Sequence, residues 1–230
     1  QTITLAFNGA TSQNPEATGI GNILRVTTRD GNPTATAATV TVTVLGGTAN
    51  AADYNLIGTV TVPAGTANNA LLSIDAGITI TDDAIVEPNE TVQLSLSAPS
   101  GAALGAQTTH THTILNDDNA SISINDISQA EGNAGTTSFT FTVTLDNPVQ
   151  GGFSVNYATS DNTATAGSDY VVTSGTRTFA GTAGETQTIT ILVNGDTVVE
   201  PNETFFVNMS APSIASVTIS DSQGIGTITN

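Results

Sequence analysis

The sequence predicts an all-β protein made of two tandem antiparallel β-sandwiches. Three observations support this fold class. Apolar residues alternate with Thr and other polar residues in many short runs, long runs of Leu, Glu, Lys and Ala are missing, and several motifs recur about 113 to 116 residues apart. Only 4% of the residues are aromatic, so the cores must be built from Val, Ile, Leu and Ala, which suits thin sandwiches. We therefore expect almost no helix.

Each strand is predicted from strict alternation, because successive side chains of a strand point to opposite faces of the sheet. Phe139, Phe141 and Val143 alternate with Thr in this way. Similar runs of the first half cover residues 1–7, 22–28, 38–45, 56–62, 70–80, 91–97 and 108–115. Those of the second half cover 120–125, 137–145, 152–158, 171–179, 186–193, 203–210 and 214–229, the last with room for a break. About seven strands per half, separated by Gly, Asn, Asp and Pro, predict immunoglobulin-like sandwiches.

An internal repeat sets the domain organisation. Glu-Pro-Asn-Glu-Thr occurs at residues 87–91 and again at 200–204, and Asp-Tyr occurs at 53–54 and again at 169–170. Matched motifs at a fixed spacing indicate homologous structural units. The predicted modules are residues 1–118 and 119–230, joined by a very short linker.

The charge balance excludes several classes of partner and site. Twenty acidic residues face three Arg and no Lys, for a net charge of −17, which repels nucleic acid and anionic lipid. There is no Cys, so neither disulfides nor thiolate metal sites can form. No run of about 18 apolar residues is present, so no membrane insertion is expected. Because the chain begins at Gln1 rather than Met, we interpret it as a piece of a larger protein.

The acids of the first module lie in predicted turns and at strand ends. Loops cluster at the two ends of a sandwich, so carboxylates distant in sequence can converge there. Without a cation such carboxylates repel one another, whereas Ca²⁺ takes six to eight oxygen ligands. The alternative is a solvated acidic surface with Asp and Asn forming turns, and we interpret Asp30, Asp75, Asp146, Asp161 and Glu185 in that way. The repeated Glu-Pro-Asn-Glu favours metal binding for the matched acids.

These motifs resemble the Calx-β domain family, first recognised in sodium/calcium exchangers and integrin β4. The resemblance covers both modules and rests on Asp-Tyr, an acidic turn, Glu-x-x-Glu opening a strand and a closing Asn-Asp-Asp. It implies immunoglobulin-like sandwiches that bind Ca²⁺ through loops at one end. The implied ligands of the first module are Glu16, Asp53, Asp82, Asp83, Glu87, Glu90, Asp117 and Asp118. Those of the second are Glu131, Asp169, Asp196, Glu200 and Glu203, where Gly195 replaces one acid and the chain stops at Asn230 before a closing pair.

Two further features give no competing function. His110 and His112 share one face of a predicted strand and could hold Zn²⁺ or Cu²⁺, but no third ligand is evident, and we expect two exposed polar residues. Paired carboxylates could form a glycosidase dyad. The chain has no Trp and only three Tyr, so a cleft that stacks on sugars is hard to build, and we do not expect an enzyme.

The sequence therefore predicts a calcium-binding structural or adhesive module of an extracellular or cell-surface protein of bacterial type. Ca²⁺ at the acidic pair 117–118 would rigidify the tandem array. Expected partners are neighbouring modules of the same chain or identical subunits, as in a filament, and a host or matrix adhesion target. One alternative is a calcium sensor, which would bind with micromolar affinity, whereas structural sites in a calcium-rich medium can bind near millimolar. A carbohydrate-binding accessory domain is a weaker alternative.

Overall fold

The computed structural model describes residues 1–75 and 77–230, so Ala76, inside the predicted strand 70–80, lies outside the described residues. The described chain is almost entirely β, with a single 3₁₀ turn at Glu16–Thr18. Its first eleven strands are β1 (Ile3–Phe7), β2 (Thr11–Pro15), β3 (Asn22–Thr28), β4 (Ala38–Gly47), β5 (Tyr54–Leu56), β6 (Thr59–Val62), β7 (Leu71–Ser73), β8 (Ile78–Ile80), β9 (Glu90–Ser100), β10 (Ala103–Leu104) and β11 (Thr109–Leu115). The other nine are β12 (Ala120–Ile124), β13 (Ile127–Ala130), β14 (Thr136–Leu145), β15 (Phe153–Asp161), β16 (Ser174–Phe179), β17 (Thr186–Asn194), β18 (Glu203–Ser210), β19 (Val217–Asp221) and β20 (Gln223–Thr229).

The chain forms two compact units. The first comprises residues 1–83 and 88–117, and the second comprises residues 84–87 and 118–230. Among the described residues, no helix is both long and apolar enough to span a membrane.

Each unit is a sandwich of a four-stranded and a five-stranded sheet. In the first unit the strand orders are β10-β1-β3-β7 and β2-β11-β9-β4-β6, with a small additional β5-β8 pair. In the second unit they are β19-β12-β14-β17 and β13-β20-β18-β15-β16. The two lists match strand for strand, so the sequence repeat is a repeat of topology.

Alternation of burial along the strands explains how the cores form. In β14, Phe139, Phe141, Val143 and Leu145 are buried, while the intervening Thr residues lie on the outer face. The inner faces of both sheets of a unit contribute to one hydrophobic cluster, which is the arrangement of a sandwich. The predicted fold class is therefore confirmed.

The sequence did not reveal three edge strands, which are β2, β13 and the two-residue β10. β2 reads Thr-Ser-Gln-Asn-Pro and β13 reads Ile-Ser-Gln-Ala, and neither has an apolar alternation. Both pair in parallel with the last strand of their unit, β11 and β20, so backbone hydrogen bonds define them more than side-chain burial does. The predicted run 214–229 is broken into β19 and β20, and the described part of 70–80 contains two short strands, β7 and β8.

A short segment before the Glu-Pro-Asn-Glu motif packs into the second unit. The Val86 backbone donates to the carbonyl of Pro148 (3.0 Å) and accepts from the Gln150 backbone (2.9 Å). The Val86 side chain is 2% exposed and lies in the second hydrophobic core. A single valine in a loop gives no sequence signal of this kind, because only the long-range contact defines it.

Candidate metal sites

Within the described part of the chain, three groups of acidic side chains lie close together in the loops and at strand ends. In each group, one carboxylate oxygen per residue lies within 4.8 Å of the others. The groups are Glu16, Asp83 and Asp118; Asp53, Glu87 and Glu90; and Asp169, Glu200 and Glu203. Every member is one of the residues that the sequence singled out. Carboxylates at this spacing repel one another unless a proton or a cation lies between them.

Local structure places the first-unit acids. Glu16 is only 5% exposed and begins the 3₁₀ turn that follows β2. Asp53 is 8% exposed, and its carboxylate accepts a hydrogen bond from the Asn50 backbone (2.5 Å) within a tight turn before β5. Its own carbonyl accepts from the Thr81 backbone (2.9 Å). Glu90 is 8% exposed at the start of β9. Carboxylates are rarely buried to this extent, because burial of their charge costs free energy. Acids that only make a surface soluble would not need to be buried.

In the second unit, the loop before Tyr170 fixes Asp169. The Asp169 carboxylate accepts from the Thr165 backbone (2.7 Å), and its carbonyl accepts from the Asn194 backbone (2.9 Å). The Asn194 side chain donates to the carbonyl of Ser168 (2.7 Å), which ties the same loop to β17. Glu203 opens β18, so one partner of the group sits on a rigid strand.

The charges of the Asp169, Glu200 and Glu203 group act on one another and on Glu131. Burial raises the pKa of Glu203, and the charge and hydrogen bond of Asp169 and the charge of Glu200 raise it further. Burial also raises the pKa of Glu131, and the charges of Asp196, Glu200 and Asp169 add to the effect against a hydrogen bond from Asn230. The five acids predicted for the second module therefore form one electrostatically coupled set. Such a set favours a cation or a proton.

Four of the predicted ligands lie outside the three groups. Asp82, Asp117 and Asp196 are exposed, whereas Glu131 is 6% exposed. The Asp196 carboxylate accepts from the Val198 backbone (2.6 Å) and so closes a turn. That these four, and the nine grouped acids, bind a metal ion stays a prediction.

Asp161 has a more specific role than the turn-forming one assigned from the sequence. Its carboxylate accepts from the Tyr170 hydroxyl (2.5 Å) and from the Ala166 backbone (2.8 Å), and these hydrogen bonds lower its pKa. The buried Tyr170 ring stacks on Phe205 with centroids 4.7 Å apart. Asp161 thus ties both ends of the loop that carries Asp169. The Asp-Tyr motif was the available signal, because a buried tyrosine hydroxyl needs a partner.

Other acids stabilise turns, as the sequence suggested. Asp146 accepts from the Ser121 backbone (2.6 Å) and hydroxyl (2.7 Å), and Glu185 accepts from the backbones of Ala180 and Gly181 (both 2.9 Å). Burial alone would raise the pKa of each carboxyl, but the hydrogen bonds outweigh it and lower the pKa. These acids are satisfied by the protein itself.

The expectation of two exposed histidines is wrong. His110 and His112 are 3% and 0% exposed, because on β11 they occupy the inward positions of the alternation. The strand was recognised, but its inner face was taken to be the outer one. Among the described residues, neither histidine belongs to a group of three metal-ligating side chains.

Comparison with known proteins gives a consistent family. The family model described as Calx-beta domain matches residues 1–126 and 116–224. No curated protein matches the chain. Among solved structures, the chain is similar to CBD12 from CALX1.2, with 20% identity, 98% of this chain and 99% of that chain covered, and a TM-score of 0.41. It is also similar to the apo-form Calx CBD1 domain, with 22% identity, 49% and 100% covered, and a TM-score of 0.42.

Proposed function

Because the chain belongs to the Calx-beta domain family, we propose that it is a pair of calcium-binding structural modules from an extracellular or cell-surface protein. Calx-beta domains are calcium-binding modules, and they occur in extracellular or membrane proteins. In this proposal Ca²⁺ stabilises the loops of each module and rigidifies the tandem array. The acids act as ligands, and no step of chemistry is required of them.

One observation carries the proposal: the same acidic group occurs twice at equivalent places. Asp53 and Asp169 each precede the tyrosine of an Asp-Tyr pair, and Glu90 and Glu203 each open the equivalent strand, β9 or β18. Asp53 and Glu90 belong to one group, and Asp169 and Glu203 belong to another. In each group the carboxylate oxygens lie within 4.8 Å of one another. A solubilising surface needs acids somewhere, but it does not need them close together at the same place in two modules.

The donor set fits a hard divalent cation. All members of the groups are carboxylates, the ligands that Ca²⁺ prefers, and the chain has no Cys to favour a softer metal. A bound ion would offset the neighbouring negative charges, which add to burial in raising the pKa of Glu203 and Glu131. In the second unit, Asp169, Glu200 and Glu203 would hold the ion. In the first, Asp53 and Glu90 would hold it with the neighbouring acids.

Calorimetric titration of Ca²⁺ into metal-stripped protein tests this proposal. We expect saturable binding that is lost from the second site in a Glu200→Gln, Glu203→Gln variant. Asp221→Asn is the control, because Asp221 is an exposed acid of the same unit whose carboxylate accepts a local hydrogen bond from the Gln223 backbone. Absence of saturable Ca²⁺ binding would overturn the proposal.

Terbium luminescence assigns binding to each site. The chain has no Trp, and of its three tyrosines Tyr54 and Tyr170 directly follow the candidate ligands Asp53 and Asp169. Tb³⁺ in a calcium site is sensitised by a nearby tyrosine, so Tyr54→Phe leaves the signal of the second site and Tyr170→Phe that of the first. Addition of Ca²⁺ should remove both signals. A millimolar affinity supports a structural role, whereas a micromolar affinity with a reversible change of shape indicates a sensor.

We place the partners of this pair among neighbouring modules of the same chain or identical subunits, with a host or matrix target for adhesion. The internal repeat and the net charge of −17 support this, since a strongly acidic surface associates through cations more readily than directly. Light scattering with and without Ca²⁺ measures the association of subunits. A mass that stays that of one chain at every calcium concentration contradicts the filament form.

A further inference from the structure

A chain of hydrogen bonds links the two buried histidines of the first unit to an edge strand. The Ser12 hydroxyl lies 2.7 Å from His110 Nε2 and 2.8 Å from His112 Nδ1. His110 Nδ1 lies 2.8 Å from the carbonyl oxygen of Gly9. Ser12 is on β2 and both histidines are on β11, so the chain joins the two strands through their side chains. We call the Ser12, His110 and His112 arrangement the histidine latch.

The partners fix the proton positions in the neutral latch. The Gly9 carbonyl can only accept, so His110 carries its proton on Nδ1 and its Nε2 accepts from the Ser12 hydroxyl. Since that hydroxyl has given its only proton, Ser12 Oγ must accept from His112 Nδ1–H. Both rings are therefore Nδ1–H tautomers. His112 Nε2 is then an unprotonated nitrogen, and it is buried with no hydrogen-bond partner among the residues that the structure describes.

Protonation conflicts with this arrangement at both rings. A proton on His112 Nε2 would place a charged N–H in the core without an acceptor, which is costly. A proton on His110 Nε2 would take away the acceptor of the Ser12 hydroxyl, although the two lone pairs of that oxygen can still accept an N–H from each ring. The closed latch is therefore opposed most strongly by protonation of His112.

Strand β2 depends on the latch because it contributes no core residue, whereas its counterpart β13 is held by an apolar contact. No residue of β2 belongs to the hydrophobic core of the first unit. In the second unit the registers place Ile127 of β13 opposite Gly226, where the first unit has Ser12 opposite His112. Ile127 packs against the core, and the ring of Phe205 occupies the space beside Gly226. The second unit thus fills the same place with apolar groups, so the fold itself does not require histidines there.

We propose that the histidine latch is an acid-sensitive switch that holds β2 against β11 at neutral pH and releases it when the histidines become protonated. The release would begin at β2, because this edge strand has one neighbour and buries no core residue. The chain has only these two histidines, so the second unit has no equivalent switch.

The direction of the response follows from the burial of His112. Burial, followed by the charge of His110, lowers the pKa of His112 to about 4 from its ordinary 6.5. The unfolded or released state therefore binds more protons, and stability is lost as the pH falls from about 6.5 towards 4. Among the described residues on the strands around the rings, the other ionisable groups are Glu90 on β9 and Arg25 on β3, with Glu16 directly after β2. Arg25 donates to the side chain of Asn8.

Release of β2 would also reach the group of Glu16, Asp83 and Asp118. Glu16 follows β2 directly, so loss of the strand would free the backbone that positions its carboxylate. This consequence rests on the proposed calcium function, whereas the switch itself does not. We expect Ca²⁺ binding, measured by calorimetry in a Glu200→Gln, Glu203→Gln background, to weaken on acidification more than it does when His112→Asn is added.

Nuclear magnetic resonance of the imidazole nitrogens in the metal-free chain tests the latch directly. At about pH 7 both rings should be neutral Nδ1–H tautomers, and His112 should titrate well below the ordinary range of histidine. An Nε2–H tautomer at either ring, or an ordinary titration of His112, would overturn the inference.

Hydrogen exchange of the β2 amides, corrected for the intrinsic effect of pH, tests the release. Between about pH 7 and 4.5 the open population of β2 should rise by roughly tenfold to a hundredfold, as the shift of His112 permits, while β13 stays unchanged. A Ser12→Ile, Val92→Phe, His112→Gly variant gives the first unit the packing of the second and should lose the response. His112→Asn keeps a donor near the Nδ1 position without a titrating ring and should lose it too. A β2 response equal to that of β13, or one that persists in both variants, contradicts the switch.

The outcomes separate the two proposals. Loss of β2 protection in a chain that binds no Ca²⁺ would support the switch and overturn the calcium function. Normal calcium binding with no acid response of β2 would do the reverse. Acid release of β2 with unchanged affinity at the first site would overturn only the coupling through Glu16.

Discussion

Glu131 and Glu203 are the residues whose surroundings most clearly oppose their own charge. Burial raises the pKa of both, and the neighbouring carboxylates raise it further. A group with a raised pKa in the folded state binds more protons there than in the unfolded state. Its contribution to stability is complete below its ordinary pKa and is lost as the pH rises through the folded value.

We therefore predict that the metal-free second unit becomes more stable as the pH falls from neutral towards the carboxyl range. Ca²⁺ should reverse this trend, because protons and the ion compete for the same oxygens. Thermal unfolding of metal-stripped protein across a pH series measures the effect, and Glu131→Gln with Glu203→Gln should reduce it. Glu185→Gln is the matched control with the opposite sign, since hydrogen bonds lower the pKa of Glu185. Equal pH dependence in all variants would contradict the electrostatic account.

At the scale of elements, β20 and β11 solve the same packing problem with different residues. The inward positions of β20 include Gly224 and Gly226, and those of β11 include His110 and His112. Opposite Gly226 lies Phe205 of β18, and opposite His112 lies the smaller Val92 of β9. A large ring on one strand is thus matched with glycine on the next, and a small side chain is matched with histidine.

Gly226→Ala should destabilise the second unit by about 1–3 kcal/mol, because overpacking forces side chains from their preferred conformations. A Cβ at this position would lie 2.4 Å from the Phe205 ring, closer than real contacts allow. Chemical denaturation measures the loss. Adding Phe205→Leu should recover part of the lost stability, because the smaller side chain makes room for the new methyl group. If the stability losses of the two single variants simply add in the double variant, the Phe205 ring is not the obstacle.

At the scale of the whole molecule, the calcium proposal has a mechanical consequence. Asp117 and Asp118 are the last acids of the first repeat and immediately precede β12. An ion that binds there would restrain the chain between the two modules. We predict that Ca²⁺ makes the rotational diffusion of the modules more alike, as measured by backbone relaxation of each module.

In the variant Asp117→Asn, Asp118→Asn the two modules should still differ in rotational diffusion at calcium concentrations that make the modules of the parent chain alike. The control is Asp221→Asn, which removes one negative charge at the exposed end of β19 in the second unit. Equal flexibility with and without Ca²⁺ would exclude a mechanical role for the ion.

Local patterns in the sequence were enough to predict the fold class, the repeat and the positions of most strands. It could do so because alternation, turn residues and repeated motifs are local properties. It also identified every acid that the structure brings into a group, since Asp-Tyr and Glu-Pro-Asn-Glu recur at equivalent positions.

Three features depend on long-range packing: which acids meet, which face of β11 is inside and how β2 is held. The groups join residues far apart in the chain, and β2 and β13 exist through long-range parallel pairing rather than through their own patterns. Alternation says that His110 and His112 share a face, but it cannot say which face when the other positions are Thr. That choice depends on the strands packed against it, and in this protein it places two titratable rings in a core.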